Sequence, residues 1–139
     1  MLLLALFYLV HVWQTRDTVT GSAPALVGQT LAGEAFDLAA VSEAPLVVHF
    51  WATWCPVCRL EFHNIVGLQP EHSVITVAMQ SGADEQILRF LQDEGYAIPV
   101  ISDPQGLLAN AWGVTGVPTT FILDSERQIR FVAVGYTTS

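Results

Sequence analysis

The chain has 139 residues, the size of a single domain and too few for two packed cores. With 52% hydrophobic and 13% charged residues, it carries too much apolar side chain for a disordered or solvating segment. Thirteen acidic residues face five basic ones, all arginines scattered singly (Arg16, Arg59, Arg89, Arg127, Arg130), so no basic stripe exists and nucleic acid is excluded as an expected partner; the acidic excess reads as the surface of a soluble monomer.

Met1 to Trp13 is an apolar run with no charge before Arg16. A spanning helix needs about 20 such residues, and a secretory leader carries basic residues ahead of its apolar stretch. The run therefore admits three readings: an export segment, the end of a membrane anchor that starts upstream, or a buried N-terminal helix. Trp13 stands where an interfacial aromatic would, and polar residues follow at once, which favours the anchor. Gln14 to Ala25, rich in Thr, Ser, Gly and Pro, reads as a tether, leaving residues 26–139 as the folded domain.

Leu31 to Leu38, with Gly33 in its middle, suggests a small hairpin. Leu46 to Ala52 is almost continuously apolar and of strand length, the pattern of a central strand covered on both faces. Pro56 to about Leu68 has helical spacing, and a proline suits the first turn, where a missing N–H costs nothing. Ser73 to Met79 is a second buried strand; Asp84 to Glu94 is an amphipathic helix with an acidic first turn and Gly95 as its stop. A short strand at Ile98 to Ile101 and a short helix at Pro104 to Trp112 follow. Thr119 to Leu123 and Ile129 to Val134 then form two strands joined by the turn Asp124 to Arg127. This order predicts an α/β fold: a central mixed sheet, parallel where crossovers join strands and antiparallel at the last hairpin, with helices on both faces.

Cys55 and Cys58 are the only cysteines. A bridge closing so short a loop constrains the unfolded chain little, so the pair reads as chemical rather than structural. It falls just past the C-terminal end of the predicted central strand, at a helix N-terminus, where sites in open α/β sheets cluster. There the helix dipole and unpaired N–H groups favour a thiolate, pulling a thiol from about 8.5 into the range of roughly 3.5 to 7.5. Cys55 is the better placed nucleophile, and Cys58, nearly one turn on, is positioned to resolve the mixed disulfide. Half of a zinc site is the competing reading, but no second cysteine pair exists and His49 and His63 lack zinc spacing, so no metal is expected.

Phe50-Trp51-Ala52-Thr53-Trp54-Cys55-Pro56-Val57-Cys58-Arg59-Leu60-Glu61, followed by Gly116-Val117-Pro118-Thr119-Thr120-Phe121, resembles the thioredoxin superfamily. More narrowly it resembles the membrane-anchored TlpA/ResA/DsbE-like thiol-disulfide oxidoreductases of bacterial envelopes. The Pro56-Val57 dipeptide brings it nearest the suppressor-of-copper-sensitivity (ScsD-like) branch. The resemblance runs from about Leu26 to Val134 and implies a thioredoxin-like fold with an N-terminal hairpin extension. It implies Cys55 as attacking and Cys58 as resolving cysteine, Pro118 as the cis-proline opposite the disulfide, and Val117 as a backbone partner for an extended client. Trp54 and Pro56 would complete the substrate surface, although a tryptophan next to a buried strand reads equally as core. The resemblance further implies no cofactor beyond the cysteine pair, protein thiols and disulfides as substrates, and a membrane electron-transfer partner. The expected setting is the periplasmic side of the inner membrane, with a reductase direction.

The chain also departs from that pattern. His49 stands six residues before Cys55, where thioredoxin has a buried acid that relays protons to the second cysteine; it reads either as that base or as a neutral, hydrogen-bonded core histidine. Arg59 and Glu61 match the relatives, with Glu61 read either as tuning the cysteine pair electrostatically or, more commonly, as simply exposed, while His63 replaces a helix-kinking proline. The family's closing helix has no counterpart before Ser139. Two other function classes remain: a copper-binding module, and a thiol peroxidase. The peroxidase would need a threonine three positions before its cysteine, where Ala52 stands.

Overall fold

The computed structural model describes residues 1–15 and 21–135. Its centre is β4 (Leu46–Trp51), all six of whose side chains are buried. Such burial requires cover on both faces and strand neighbours on both edges. β5 (Ser73–Met79) pairs with β4 in parallel, and β7 (Thr119–Leu123) pairs antiparallel on its other edge. β6 (Val100–Asp103) extends the sheet parallel to β5, and β8 (Gln128–Val134) antiparallel to β7. Beyond β8 lies β1 (Gly21–Ser22), so among the described residues the sheet is six-stranded in the order β1-β8-β7-β4-β5-β6.

Period-two alternation along β4 divides the core. Leu46, Val48 and Phe50 face one side, where Phe50, Trp112 and Phe121 form an aromatic cluster with ring centroids 5.0–5.8 Å apart. Val47, His49 and Trp51 face the other, toward α2 (Pro56–Gly67) and α3 (Asp84–Glu94). There the Trp51 ring lies tilted against those of Phe62 and Phe90, with centroids 4.4 and 5.3 Å away. α3 ends at Gly95, whose φ of 71° lets the Tyr96 N–H reach back to the Leu91 carbonyl at 2.9 Å. α4 (Leu107–Ala111) is held by Asp103, whose two carboxylate oxygens accept from the N–H groups of Leu108 and Ala109 at 3.1 and 3.0 Å.

Three boundaries differ from the sequence reading. The hairpin lies earlier, pairing β2 (Val27–Gln29) with β3 (Ala35–Asp37), while Leu31 sits in the turn and donates its N–H to the Val100 carbonyl on the edge of β6. Leu38–Ala40 is a 3₁₀ turn capped by Asp37. β6 begins at Val100 rather than Ile98 because Pro99 has no N–H to give the ladder, and α4 starts only after Pro104–Gly106 has turned the chain.

Within the segment read as a tether, residues 21–25 contact the folded domain. Gly21 and Ser22 pair with Ile129 and Gln128, and the Ala25 carbonyl accepts from Trp112 Nε1 at 3.3 Å. The remainder of that segment's middle, residues 16–20, lies outside the described residues, as does 136–139, so β8 is the last described element. α1 (Leu2–Thr15) is helical, but its side chains from Met1 to Trp13 are exposed, which removes the buried-helix reading. Among the described residues no helix is long and apolar enough to cross a membrane.

Candidate active site

β4 ends at Trp51 and α2 begins five residues later at Pro56, so Cys55 becomes the helix N-cap. Its Sγ accepts the Cys58 N–H at 3.1 Å, taking the part that a serine or aspartate oxygen plays in an ordinary cap. Pro56 fills the first helical position, where it has no intrahelical N–H bond to lose. Cys55 and Cys58 are joined as a disulfide, with Cα atoms 5.2 Å apart. Cys55 retains 5% of its surface and Cys58 none, so only Cys55 can be met by a partner from solvent.

Opposite the disulfide, the Val117–Pro118 peptide is cis and the Val117 carbonyl oxygen lies 3.7 Å from Cys55 Sγ. Residues separated by more than sixty positions thus meet because β7 runs antiparallel beside β4, returning the chain to the end of the sheet where α2 begins. Val117 is half-buried and Pro118 buried. Around the cysteine the surface is apolar: Trp54, Val57 and Leu60 are 58%, 41% and 66% exposed, and Pro56 is exposed between them. Arg59 turns away from this collar; its Nε donates to the Thr53 carbonyl at 2.9 Å and its guanidinium lies 5.3 Å from the Phe90 ring centroid.

His49 is fully buried beneath the site, its ring 6.2 Å from that of Phe62. Nδ1 meets Thr120 Oγ1, its direct partner on β7, at 2.9 Å, while Nε2 has no hydrogen-bond partner among the described residues. Burial holds its pKa down from 6.5 to about 3, so the imidazole is neutral at physiological pH and a weak base. Of the two sequence readings, this geometry matches the hydrogen-bonded core histidine.

Glu61 corrects an expectation, for it is fully buried rather than exposed. The reason is helical phase: Cys58, Glu61, Phe62 and Ile65 form one i, i+3, i+4, i+7 stripe against the sheet. The sequence held that signal, but the charge obscured it. His63 is exposed in the place of the kinking proline, and α2 runs without interruption to Gly67. Two residues that sequence reasoning missed are Gln80 and Ser81, which follow β5. The Gln80 carbonyl accepts from Trp54 Nε1 at 3.0 Å, and Ser81 Oγ accepts from the Thr53 N–H at 3.0 Å.

Residues 18–139 match the Redoxin family. A thioredoxin-like protein of Haemophilus influenzae is 32% identical over 111 residues, covering 78% of this chain; the chain spans 66% of that protein's own length. The thiol-disulfide oxidoreductase ResA of Geobacillus thermodenitrificans is 28% identical over 143 residues, covering 97% of this chain and 82% of that protein. Among solved structures, a thiol:disulfide interchange protein of the thioredoxin family from Chlorobium tepidum superposes with a TM-score of 0.73 at 26% identity, covering 88% of this chain and 90% of that one. The chain belongs to the Redoxin family, with a thioredoxin-like fold and thiol-disulfide oxidoreductases among its homologues.

Proposed function

We propose that this protein exchanges disulfides with protein clients through Cys55 and Cys58. The observation that carries the reading is the position of Cys55: a barely accessible sulfur at the N-terminus of α2, inside an apolar collar and facing the Val117 carbonyl. In the dithiol form, the Cys55 thiolate attacks a client disulfide. The client's S–S bond breaks, a mixed disulfide forms, and one client sulfur leaves as a thiolate and takes up a proton. Cys58 then loses its proton and attacks Cys55 Sγ, releasing the second client sulfur. The client gains two electrons, and the Cys55–Cys58 pair is oxidised. The backbone of Val117 and Pro118 offers an extended client main-chain contacts that ask little of its sequence. Trp54 and Pro56 offer apolar contact. No cofactor enters the cycle.

The finer reading is a reductase on the periplasmic side of a bacterial inner membrane. There Met1–Trp13 serves as anchor or export segment, Gln14–Ala25 is the connection to the domain, and a membrane electron-transfer partner regenerates the dithiol. The resemblance to the TlpA/ResA/DsbE-like group supports an envelope setting, and Pro56-Val57 supports the ScsD-like branch. The monomeric state is part of the same proposal.

Trapping tests the exchange reading. Cys58→Ala leaves the attacking thiol without its resolver and accumulates mixed disulfides with clients, whereas Cys55→Ala accumulates none. Clients recovered on Cys55→Ala instead would reverse the assignment, and none on either would remove it. The direction is read from the equilibrium potential of the pair in glutathione buffers: about −230 mV or below marks a reductase, and about −120 mV a disulfide donor.

A further inference from the structure

Trp54 flanks the reactive cysteine with 58% of its surface exposed, so packing alone does little to select its rotamer. Its indole is fixed instead by the hydrogen bond from Nε1 to the Gln80 carbonyl. Gln80 has φ of 47°, and among the described residues the only other non-glycine with positive φ is Arg127. Arg127 closes the β7–β8 turn, where that conformation is ordinary. Gln80 lies at the end of a parallel strand, where nothing in the hairpin chemistry asks for it, and a side chain bearing Cβ adopts it reluctantly.

Its surroundings impose the conformation. The Gln80 N–H donates to the Asp103 carbonyl at 2.8 Å, and Asp103 is itself fixed by the start of α4. Next along, buried Ser81 donates to the Met79 carbonyl at 3.1 Å while accepting the Thr53 N–H. The Gln80 side chain lies against Gly106, where even a Cβ would come within 3.2 Å of its Nε2. The turn therefore grips the segment before Cys55 at two successive residues, the backbone of Thr53 and the ring of Trp54.

We infer that Gln80 is a positioning residue: its left-handed backbone aims a carbonyl at the Trp54 indole and so sets one wall of the surface that receives polypeptide clients. This deepens the exchange reading and rests on it. The test compares Gln80→Val, whose β-branch resists positive φ, with Gln80→Gly, which takes it freely, and with Trp54→Phe, which removes the indole N–H. Two quantities are read: kcat and KM for reduction of an unfolded, disulfide-bearing polypeptide, and the Trp54 indole N–H cross-peak in a ¹H–¹⁵N spectrum, assigned through Trp54→Phe.

Gln80→Val is expected to shift that cross-peak and raise KM about fivefold, the weight of one neutral hydrogen bond, with the effect falling on KM rather than kcat. Gln80→Gly restores both, and Gln80→Val adds nothing to Trp54→Phe. A Gln80→Gly that behaves like Gln80→Val, an additive double variant, or an unmoved KM overturns the inference. Should Gln80→Val fail to fold, an unchanged KM in Trp54→Phe overturns it equally. If the wild-type protein reduces no polypeptide, the exchange reading falls, while the cross-peak in Gln80→Val and Gln80→Gly still decides whether Gln80 orients the indole.

Discussion

His49 converts a buried position into a measurable dependence of stability on pH. Burial lowers its folded pKa from 6.5 to about 3, whereas in the unfolded chain it titrates at the usual value. Between these limits the unfolded form binds a proton that the native form does not, so stability falls as pH drops through the window, with a slope approaching about 1.4 kcal/mol per pH unit. From pH 7 to pH 5 the integrated loss is about 2 kcal/mol, because the unfolded imidazole passes from about one quarter protonated to nearly complete protonation. His49→Gln keeps an amide within reach of Thr120 and abolishes the titration. The assay is denaturant unfolding of both proteins, in the disulfide form so that neither cysteine titrates, at pH 7 and pH 5. Every other titrating group is common to the two proteins and largely cancels. The wild type should lose about 2 kcal/mol more than the variant between those pH values. Parallel pH dependences, within about 0.5 kcal/mol, would refute the claim that native His49 stays neutral at pH 5.

In the reduced protein, iodoacetamide should modify Cys55 rapidly and Cys58 slowly, as mass spectrometry of quenched samples can show; equal rates at neutral pH would contradict the difference in exposure. Phe62→Ala opens a void beneath Trp51, Phe90 and Tyr96 and should cost about 3–5 kcal/mol in chemical denaturation. Asp103→Ala leaves the N–H groups of Leu108 and Ala109 without their buried acceptor and should cost about 1–3 kcal/mol, whereas Asp103→Asn, which retains one oxygen, should cost less.

The parts of this protein that were legible in the sequence are those whose signal is local. The continuous apolar run of β4 and the capped, amphipathic pattern of α3 appear in the structure with the expected type and nearly the expected limits. The site was legible for the same reason, since Pro56 and the Cys55–Cys58 spacing specify a helix start that places one sulfur at the N-cap. What escaped was set by distant partners. Gly21 and Ser22 look like tether until β8 offers an edge, and Leu31 leaves its expected strand because Val100 supplies a better partner for its N–H. Nothing in the local pattern around Gln80 marks it, because its role depends on Trp54, 26 residues earlier.

His49 and Glu61 show where charge misleads sequence reading, and their burial constrains the chemistry. Both lie on the core-facing stripes of their elements, and both are fully buried despite being titratable. For exchange to proceed, Cys58 must give up a proton before attacking Cys55, and a group that accepts it needs a pKa not far below that of the thiol. A neutral imidazole held near 3 meets that requirement poorly, and its one engaged nitrogen is already committed to Thr120. If His49 nonetheless served as the base, His49→Gln would slow the resolving step while leaving Cys55 alkylation unchanged. The burial argues for the opposite: resolution at close to the wild-type rate in His49→Gln, measured as decay of a preformed mixed disulfide at Cys55. A drop of about a hundredfold, the lower bound of general-base catalysis, would return His49 to the mechanism and require that the imidazole gain a stabilising partner once the disulfide opens.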